Sequence, residues 1–579
     1  MSTPTQKSPF ERAYRRIADI GLEDLPFITT VIFLVLFITL LAALVFGAAF
    51  FSFGSGAGIT LDTFIDVYTE PRTYQLLGNT LFIGLASGLL GTLIAAVYTW
   101  LVVRTNVPGR QYFRYLAIMS AAMPGIIMTL GWIAALSPEY GFVNRIFQGL
   151  AGITVFNIYS PWGIVLAISF GVLQSAFLLL ETPFQNVSSE LEEASRIAGY
   201  SRLETLRKVT LPMLLPALFS SFLLSTIYGI GNFEFVLFFT SYRGGMETFA
   251  TEIFSLIKLN ISPEYGRAAV LSIPYMLLAM GLIGLYHYFT KKREKYVTVS
   301  GAGSRGDRID LGRSRFLGAG YCVLVWAGSF AIPAIGIAGM ALSPQLGSAF
   351  EGVTLGNFAA FFELSKIQSV LINTIIFAFL GAVGVVVVAT LISYTALKYD
   401  HRLARIGDYA STIPLGLPPI VYGLSIFWMI LLVPGFNSLH GTIVPLVLAI
   451  IFMKTPHGVR IISSNLIQIS DEFEEASRVS GWSWFQSFRK IVIPLSLDGI
   501  GNAFLFVFID SMKELAGVVL LITAGSDVFT NYIMQLYGND PSALPTIAAG
   551  AVIFTGFILV FVFIQTKLQG YSASRKFLY

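Results

Sequence analysis

The chain has 579 residues, of which 55% are hydrophobic and 12% charged, and its mean hydropathy is +0.73. This composition places it among membrane proteins and excludes a set of ordinary soluble domains. The net charge of +4 comes without aromatic-interleaved basic patches, so we expect no nucleic-acid partner. The single cysteine, Cys322, excludes a disulfide framework or a cysteine metal cluster within the chain.

Twelve apolar segments are each long enough to cross a bilayer, which takes about 20 helical residues. In the first half they lie near residues 28–53, 76–103, 113–136, 160–181, 213–240 and 268–290. In the second half they lie near residues 316–342, 370–397, 405–432, 441–463, 495–523 and 545–568. The first segment is too long for a signal-peptide core, so we expect a retained span after a cytoplasmic segment, residues 1–27.

Basic residues predict the orientation, because loops rich in Lys and Arg stay on the cytoplasmic side. They precede the first span and follow the second, sixth, eighth and twelfth, at Arg15 and Arg16, Arg104, "KKREK" from Lys291, "KYDHRLAR" from Lys398, and Lys567. All these places fall on one side of a twelve-span chain. Both termini, including the tail 569–579, are therefore predicted to be cytoplasmic.

The two halves repeat one another. "EEASRIAGYSRLETLRKVTLP" from Glu192 recurs as "EEASRVSGWSWFQSFRKIVIP" from Glu474, a shift of 474 − 192 = 282 residues, and "LGNT" and "MPGI" in the first half recur as "LINT" and "LPPI" in the second. Because each repeat holds an even number of spans, the repeats are parallel in the membrane. We therefore predict two six-helix repeats, residues 28–290 and 316–568, joined by a Gly/Ser/Arg-rich cytoplasmic linker, residues 291–315.

The duplicated charged stretches, residues 190–212 and 472–494, each predict a helix-turn-helix on the cytoplasmic side. Ser189 and Glu192 are spaced as a capping box, and Asp471 and Glu474 offer the same arrangement. A glycine follows in each copy, where it can adopt the left-handed conformation that ends a helix. A second short helix is expected to end in an Arg-Lys pair, just before a proline in the first turn of the next span.

These stretches resemble the coupling-loop signature of binding-protein-dependent ABC importer permeases, E-A-A-x-x-x-G followed after nine residues by I-x-L-P. The matching residues are Glu193, Ala194, Ser195, Gly199 and Pro212 in the first coupling loop, 190–212, and Glu475, Ala476, Ser477, Gly481 and Pro494 in the second, 472–494. The resemblance implies a type I ABC importer permease fold in the bacterial inner membrane. It also implies docking of the loops on ATPase subunits.

The resemblance further implies the partners: two copies of an ABC ATPase subunit that bind ATP and Mg, and a soluble periplasmic or lipid-anchored substrate-binding protein. The chain contains no Gly-Lys dipeptide, so it cannot carry a G-x-x-x-x-G-K-[ST] phosphate loop. We expect no catalytic residue, no metal site and no cofactor on this chain. The residues after Gly481 are aromatic where those after Gly199 are polar, so the second loop is expected to contribute more to docking.

Ionisable residues inside a membrane are costly, and they are therefore candidates for function. Polar and charged residues occur in equivalent parts of the fifth and eleventh spans, at Asn232, Glu234, Asp510, Lys513 and Glu514. The aligned stretches "GNFEF" from Gly231 and "KELAG" from Lys513 each begin about 19 residues beyond the proline of their span, or nearly 30 Å along a helix, which predicts a place near the outer mouth. An internal Lys-Glu pair with residues reaching the interface is the alternative to a substrate path.

The fusion of two halves, with "NFEF" and "FIDSMKEL" in equivalent spans, resembles the ferric-iron importer permeases. Ferric iron is therefore the expected solute, although "AGVVLLITAGSD" after "KEL" departs from that pattern. The same importer class also serves 2-aminoethylphosphonate, thiamine, sugar phosphates and polyamines. A secondary transporter of the major-facilitator type is an alternative class with twelve spans, but it would not need two docking helices.

Overall fold

The computed structural model describes residues 25–50, 61–240, 243, 245–297, 308–346, 352–398 and 413–575. Throughout these ranges the chain is helical, and extended pairing is confined to one bridge between Thr105 and Ile309. Six predicted parts lie wholly or partly outside the described residues: the N-terminal segment, the end of the first span, the middle of the linker, the basic run after Lys398, the start of the ninth span and the end of the tail.

The first half contains fourteen α-helices in the described ranges. They are α1 Leu25–Phe50, α2 Asp62–Thr69, α3 Pro71–Arg104, α4 Arg110–Met119, α5 Gly125–Leu136, α6 Phe142–Ala151, α7 Pro161–Gly171, α8 Leu173–Gln185, α9 Ser189–Ile197, α10 Arg202–Thr205, α11 Leu211–Gly231, α12 Glu234–Phe239, α13 Phe249–Phe254 and α14 Tyr265–Val297. π-Helical turns at Leu206–Thr210 and Ser255–Leu259 extend α10 and α13.

The second half contains eleven more. They are α15 Arg315–Trp326, α16 Ile332–Ala341, α17 Gly356–Glu363, α18 Ile367–Lys398, α19 Pro419–Leu432, α20 Val444–Leu466, α21 Glu472–Val479, α22 Trp484–Ser487, α23 Ile493–Met512, α24 Phe529–Asn539 and α25 Leu544–Arg575. π-Helical turns at Ala327–Ala331 and Phe488–Val492 join α15 to α16 and α22 to α23.

Each of the twelve predicted spans has a helical counterpart. Nine helices of the described ranges are long and apolar enough to cross a membrane. The fourth predicted span is a pair, α7 and α8, bent by 49°. The third contains α4 and the shorter apolar helix α5, and the described part of the ninth contains the shorter apolar helix α19. The predicted all-α membrane fold is thus confirmed, with three of its spans bent or shortened.

Prolines explain where the third and ninth spans are interrupted. Pro124 and Pro418 stand in extended conformation directly before α5 and α19. A residue that precedes proline is disfavoured in helical conformation, and proline has no N–H to continue a helix. The repeated sequences "MPGI" and "LPPI" therefore mark a break in the same place of both halves.

The first span of each half packs against the other half. Helix α1 contacts α18 and α19, and α16 contacts α5 as well as α25. The α5–α16 crossing is close, since a Cβ on Gly131 would lie 2.3 Å from the carbonyl oxygen of Pro333. Small residues permit such close approach of membrane helices. The two sequence repeats are therefore interlocked in the fold.

Candidate functional site

Both coupling loops form the predicted helix-turn-helix. Helices α9 and α21 end at turns in which Gly199 and Gly481 have φ values of +90° and +83°. A Cβ on either glycine would have no neighbour within 4 Å, so the backbone conformation alone favours glycine there. The predicted left-handed turns are confirmed.

A serine at the third position of each motif joins the two short helices of its loop. Ser195 Oγ lies 3.0 Å from Thr205 Oγ1, and Ser477 Oγ lies 2.6 Å from Ser487 Oγ. All four side chains are buried. The two buried hydroxyls of each pair thus hydrogen-bond to each other, and this bond fixes the angle between the two helices.

The capping box predicted at Ser189 and Glu192 is wrong by one residue. The N-cap of α9 is Ser188, which accepts a hydrogen bond from the Leu191 N–H at 3.3 Å. Glu192 is engaged elsewhere: its carboxylate lies 2.5 Å from Arg104 Nη2, at the end of α3, and accepts a hydrogen bond from Thr210 Oγ1 at 2.7 Å. It ties the loop to the second span.

Glu474 has the same position in the second loop but different partners. Its Oε2 accepts a hydrogen bond from Tyr394 Oη at 2.7 Å, and Trp484 Nε1 donates to that hydroxyl at 3.1 Å. Asp471 is the N-cap of α21 by position but does not cap it with its side chain. The second loop is therefore held to α18 by a hydrogen-bonded network of Glu474, Tyr394 and Trp484.

The remaining motif residues face outward. Glu193, Ala194, Glu475 and Ala476 are exposed, and so is an apolar residue in each loop: Ile197 is 88% and Val479 is 89% exposed. Equivalent exposure in both loops makes these two residues candidates for contact with another protein. Sequence reasoning did not single out these two residues, although both stand two residues before the motif glycine.

Aromatic residues of the second loop are partly turned inward. Trp484 and Phe488 are buried and stack at 5.1 Å between ring centroids, beside Tyr394. Trp482 and Phe485 are 38% and 37% exposed, against 42% and 64% for their first-loop equivalents Tyr200 and Leu203. The extra aromatic content of the second loop therefore adds internal packing and gives no larger exposed apolar surface.

The loops pass into the membrane spans without a break. The predicted second short helix and the following span form one helical run in each half, joined by the π-turns that hold the Arg-Lys pairs. Pro212 and Pro494 lie in the first turns of α11 and α23, as predicted. A displacement of either loop is thus carried directly to a membrane helix.

A second group of candidate side chains lies on and between helices that are apolar enough to cross a membrane. Lys454 of α20 contacts the carboxylates of Asp510 and Glu514 at 2.6 and 3.1 Å, and Lys513 lies 3.4 Å from Asp510. Glu234 is within electrostatic range of Lys454 and Glu514. We call these five residues the charge cluster. It joins three of the predicted residues from the second half to one from the first.

Asn232 has a local role beside the cluster. Its Oδ1 accepts a hydrogen bond from the Phe235 N–H at 3.2 Å, in the first turn of α12. The carboxylate carbon of Glu234 lies 3.5 Å from the place where a Cβ on Gly125 would stand. The proline break that precedes α5 therefore brings a glycine against this acidic side chain.

Lys454 was missed by the sequence reasoning, although it stands in the tenth predicted span, where the same cost of an intramembrane charge applies. It lies ten residues from the start and twelve from the end of α20, at about mid-length. The cluster is thus nearer the middle of the span than the outer mouth, where the count along the fifth and eleventh spans placed it.

A family model described as "Binding-protein-dependent transport system inner membrane component" matches residues 87–295 and 388–570 of the chain. Each matched segment contains one coupling loop. Among solved structures, a chain of a bacterial ABC transporter involved in the import of the acidic polysaccharide alginate matches with a TM-score of 0.35 and 17% identity, covering 46% of this chain and 99% of that one.

Curated relatives match over most of the length. A ferric transport system permease protein, FbpB, of Actinobacillus pleuropneumoniae is 24% identical over 88% of this chain and 74% of its own. A putative ferric transport system permease of Haemophilus influenzae is 25% identical over 80% of this chain and 73% of its own. A sulfate transport system permease, CysT, of Salmonella typhimurium is 28% identical over 38% of this chain and 77% of its own.

Proposed function

Because the chain belongs to the family of binding-protein-dependent transport system inner membrane components, we propose that it is the permease of an ATP-driven ABC importer that carries ferric iron across the bacterial inner membrane. The assignment of ferric iron as the solute rests on how much of this chain the ferric permeases match. Ferric permeases align with 88% and 80% of the chain, across both repeats. The sulfate permease is matched over a similar share of its own length, 77%, but over only 38% of this chain, about the length of one repeat, so it does not share the fused arrangement.

The charge cluster supports a positively charged solute. It combines three acidic side chains, Glu234, Asp510 and Glu514, with two basic ones, Lys454 and Lys513, so acidic groups outnumber basic groups. In a medium of low dielectric constant such an imbalance attracts cations and repels anions over several ångströms. A sulfate path would be expected to have the opposite sign.

The partners follow from the two coupling loops. Each loop displays one apolar patch, so one chain receives two ATPase subunits, which bind ATP and Mg while this chain binds no cofactor and hydrolyses nothing itself. A binding protein, soluble in the periplasm or held by a lipid anchor, delivers the solute from the side opposite the loops. Both termini lie in the cytoplasm, and membrane lipid covers the apolar outer faces of the spans.

Vesicles that contain the permease and its ATPase test the solute. Iron-loaded binding protein should stimulate ATP hydrolysis and drive iron uptake, while the isolated permease should hydrolyse no ATP. The control is the same vesicle with binding proteins loaded with sulfate, 2-aminoethylphosphonate, thiamine, a sugar phosphate or a polyamine. Stimulation by one of these solutes and none by iron would identify that solute in place of iron. Uptake driven by an ion gradient without ATP would favour a secondary transporter.

Replacing Gly199 or Gly481 by Val should misdirect the docking helix, because a β-branched residue in the left-handed conformation costs about 1 to 2 kcal/mol. A Cβ would meet no neighbour at either place, so the spans should still insert and the membrane abundance should stay normal. We expect ATPase co-purification and transport to fall several-fold for each variant. A Val variant that binds the ATPase normally would contradict this role of the turn.

A further inference from the structure

The duplicated motifs "LGNT" and "LINT" make the same hydrogen bonds in both halves. Thr80 Oγ1 accepts from the Phe249 N–H at 3.1 Å, and Thr374 Oγ1 accepts from the Phe529 N–H at 2.8 Å. These are the first residues of α13 and α24, whose N–H groups have no partner within their own helix. Each threonine lies on a membrane span and thus accepts the otherwise unpaired N–H at the start of a neighbouring short helix.

The asparagine before each threonine binds the same segment. Asn79 Nδ2 donates to the Glu247 carbonyl at 2.8 Å, and Asn373 Nδ2 donates to the carbonyls of Gly525 and Asp527 at 2.9 and 3.2 Å. We call Asn79–Thr80 and Asn373–Thr374 the Asn–Thr pairs. Since two backbone groups are held by two adjacent side chains, each pair fixes both the position and the direction of the helix that follows.

Both held helices line one cavity of about 270 Å³. The two halves correspond here at a shift of 529 − 249 = 280 residues. Three equivalent pairs of residues line the cavity together: Phe254 and Met534, Lys258 and Gly538, and Leu259 and Asn539. A cavity lined by both members of such pairs straddles the axis that relates the repeats, where a path between them must run.

The cavity lies on the side opposite the coupling loops. Along α3, Thr80 contacts α13, while Arg104 contacts the first coupling loop; the 24 residues between them span about 36 Å. Across the cavity, Lys258 Nζ donates to the Ile522 carbonyl at 3.0 Å, a contact between the two halves. The cavity is therefore at the solute-receiving end of the axis and is bridged by one lysine.

We propose that the Asn–Thr pairs are positioning residues for solute entry. They hold the two opposite walls of the axial cavity at a fixed separation, so that solute released by the binding protein enters between the halves. The proposal rests on the proposed function as an importer permease. It assigns to the pairs an effect on transfer from the binding protein and none on ATPase docking.

The chain offers matched controls on the same helices. Thr80 and Thr374 each donate to a carbonyl of their own helix and accept the tertiary hydrogen bond. The buried Thr99 and Thr390 make only the intrahelical bond, at 2.7 Å, within the described part of the chain. Thr80→Val and Thr374→Val remove the hydroxyl oxygen that accepts from α13 or α24, while Thr99→Val and Thr390→Val leave the hydrogen bonds to α13 and α24 unchanged. Thr80→Ser and Thr374→Ser keep the acceptor and should behave as the unsubstituted chain.

The complete transporter is the system for the test, with Cys322→Ala as background and Gln535→Cys as a reporter in the cavity wall. We measure modification of that thiol by a membrane-impermeant reagent, ATP hydrolysis against binding-protein concentration, and ATPase co-purification. Thr374→Val should change the modification rate several-fold and raise the half-saturating binding-protein concentration about tenfold, the effect of one lost buried hydrogen bond. Co-purification should not change.

Equal results for Thr374→Val and Thr390→Val would overturn the proposal, and so would a fall in ATPase co-purification as large as the fall in stimulation. Asn373→Asp, at a more exposed place, provides the same comparison if a Val variant does not accumulate. These readouts do not depend on the solute. A complex that shows them but takes up no iron would reject ferric iron while keeping the positioning role.

Discussion

Val479→Asp should abolish stable binding of the ATPase to the second coupling loop, and Ile197→Asp should do the same at the first. Both side chains are almost fully exposed, at 89% for Val479 on α21 and 88% for Ile197 on α9. Covering a Val or Ile side chain contributes about 1.5 to 3 kcal/mol, and an unpaired carboxylate in its place adds a desolvation cost. We expect an affinity loss of about 100-fold or more for each loop.

Co-purification of the ATPase with the permease measures this effect. Leu150→Asp is the matched control, because Leu150 is also strongly exposed, at 81%, but stands in α6, between the third and fourth spans and away from the coupling loops. Its ATPase binding should remain normal. If Val479→Asp and Leu150→Asp behaved alike, the exposed apolar residues of the loops would not be the docking surface.

Lys454→Met should strongly destabilise the permease and stop transport. The side chain of Lys454 is 12% exposed, and its ammonium group contacts two carboxylates, which would face each other without it. Removal of one partner from a buried ion pair costs about 3 to 5 kcal/mol, since it leaves an uncompensated charge. We expect a large fall in thermal stability in detergent and in membrane abundance.

Adding Glu514→Gln to Lys454→Met should restore part of the stability. Gln keeps the oxygen that accepts the Gly517 N–H at 3.0 Å but carries no charge, and Asp510 keeps Lys513 at 3.4 Å. Arg243→Met is the control for loss of an exposed ion pair, with Glu139, and should cost at most about 1 kcal/mol. A double variant no more stable than Lys454→Met would show that charge balance is not what the lysine supplies.

The sequence was sufficient to predict the twelve helical segments and the duplicated loops, because hydropathy and repetition are properties of the chain itself. Breaks within spans were not predicted, since an average over 20 residues hides a single proline such as Pro124 or Pro418. The repeated "MPGI" and "LPPI" were recognised as signs of duplication. Their shared proline was the available signal for a break.

The site was predicted where its chemistry follows from local spacing, as for Gly199 and Gly481. It was not predicted where partners come from distant spans. Glu192 looked like a capping residue because its spacing fits one, but Arg104, 88 positions away, holds its carboxylate. The Asn–Thr pairs gave only a sign of duplication, since their partners lie 152 to 169 positions further along the chain.

The packing of α1 against α18 and α19 has a consequence for biosynthesis. Helix α1 begins at Leu25 and its partner α18 at Ile367, so 367 − 25 = 342 residues are made between them. At about 5 to 20 residues per second, the ribosome takes roughly 20 to 70 s to supply that partner. During this time the first helix has only lipid, the insertion machinery or its own repeat beside it. The first repeat therefore cannot reach its final packing before much of the second has been translated.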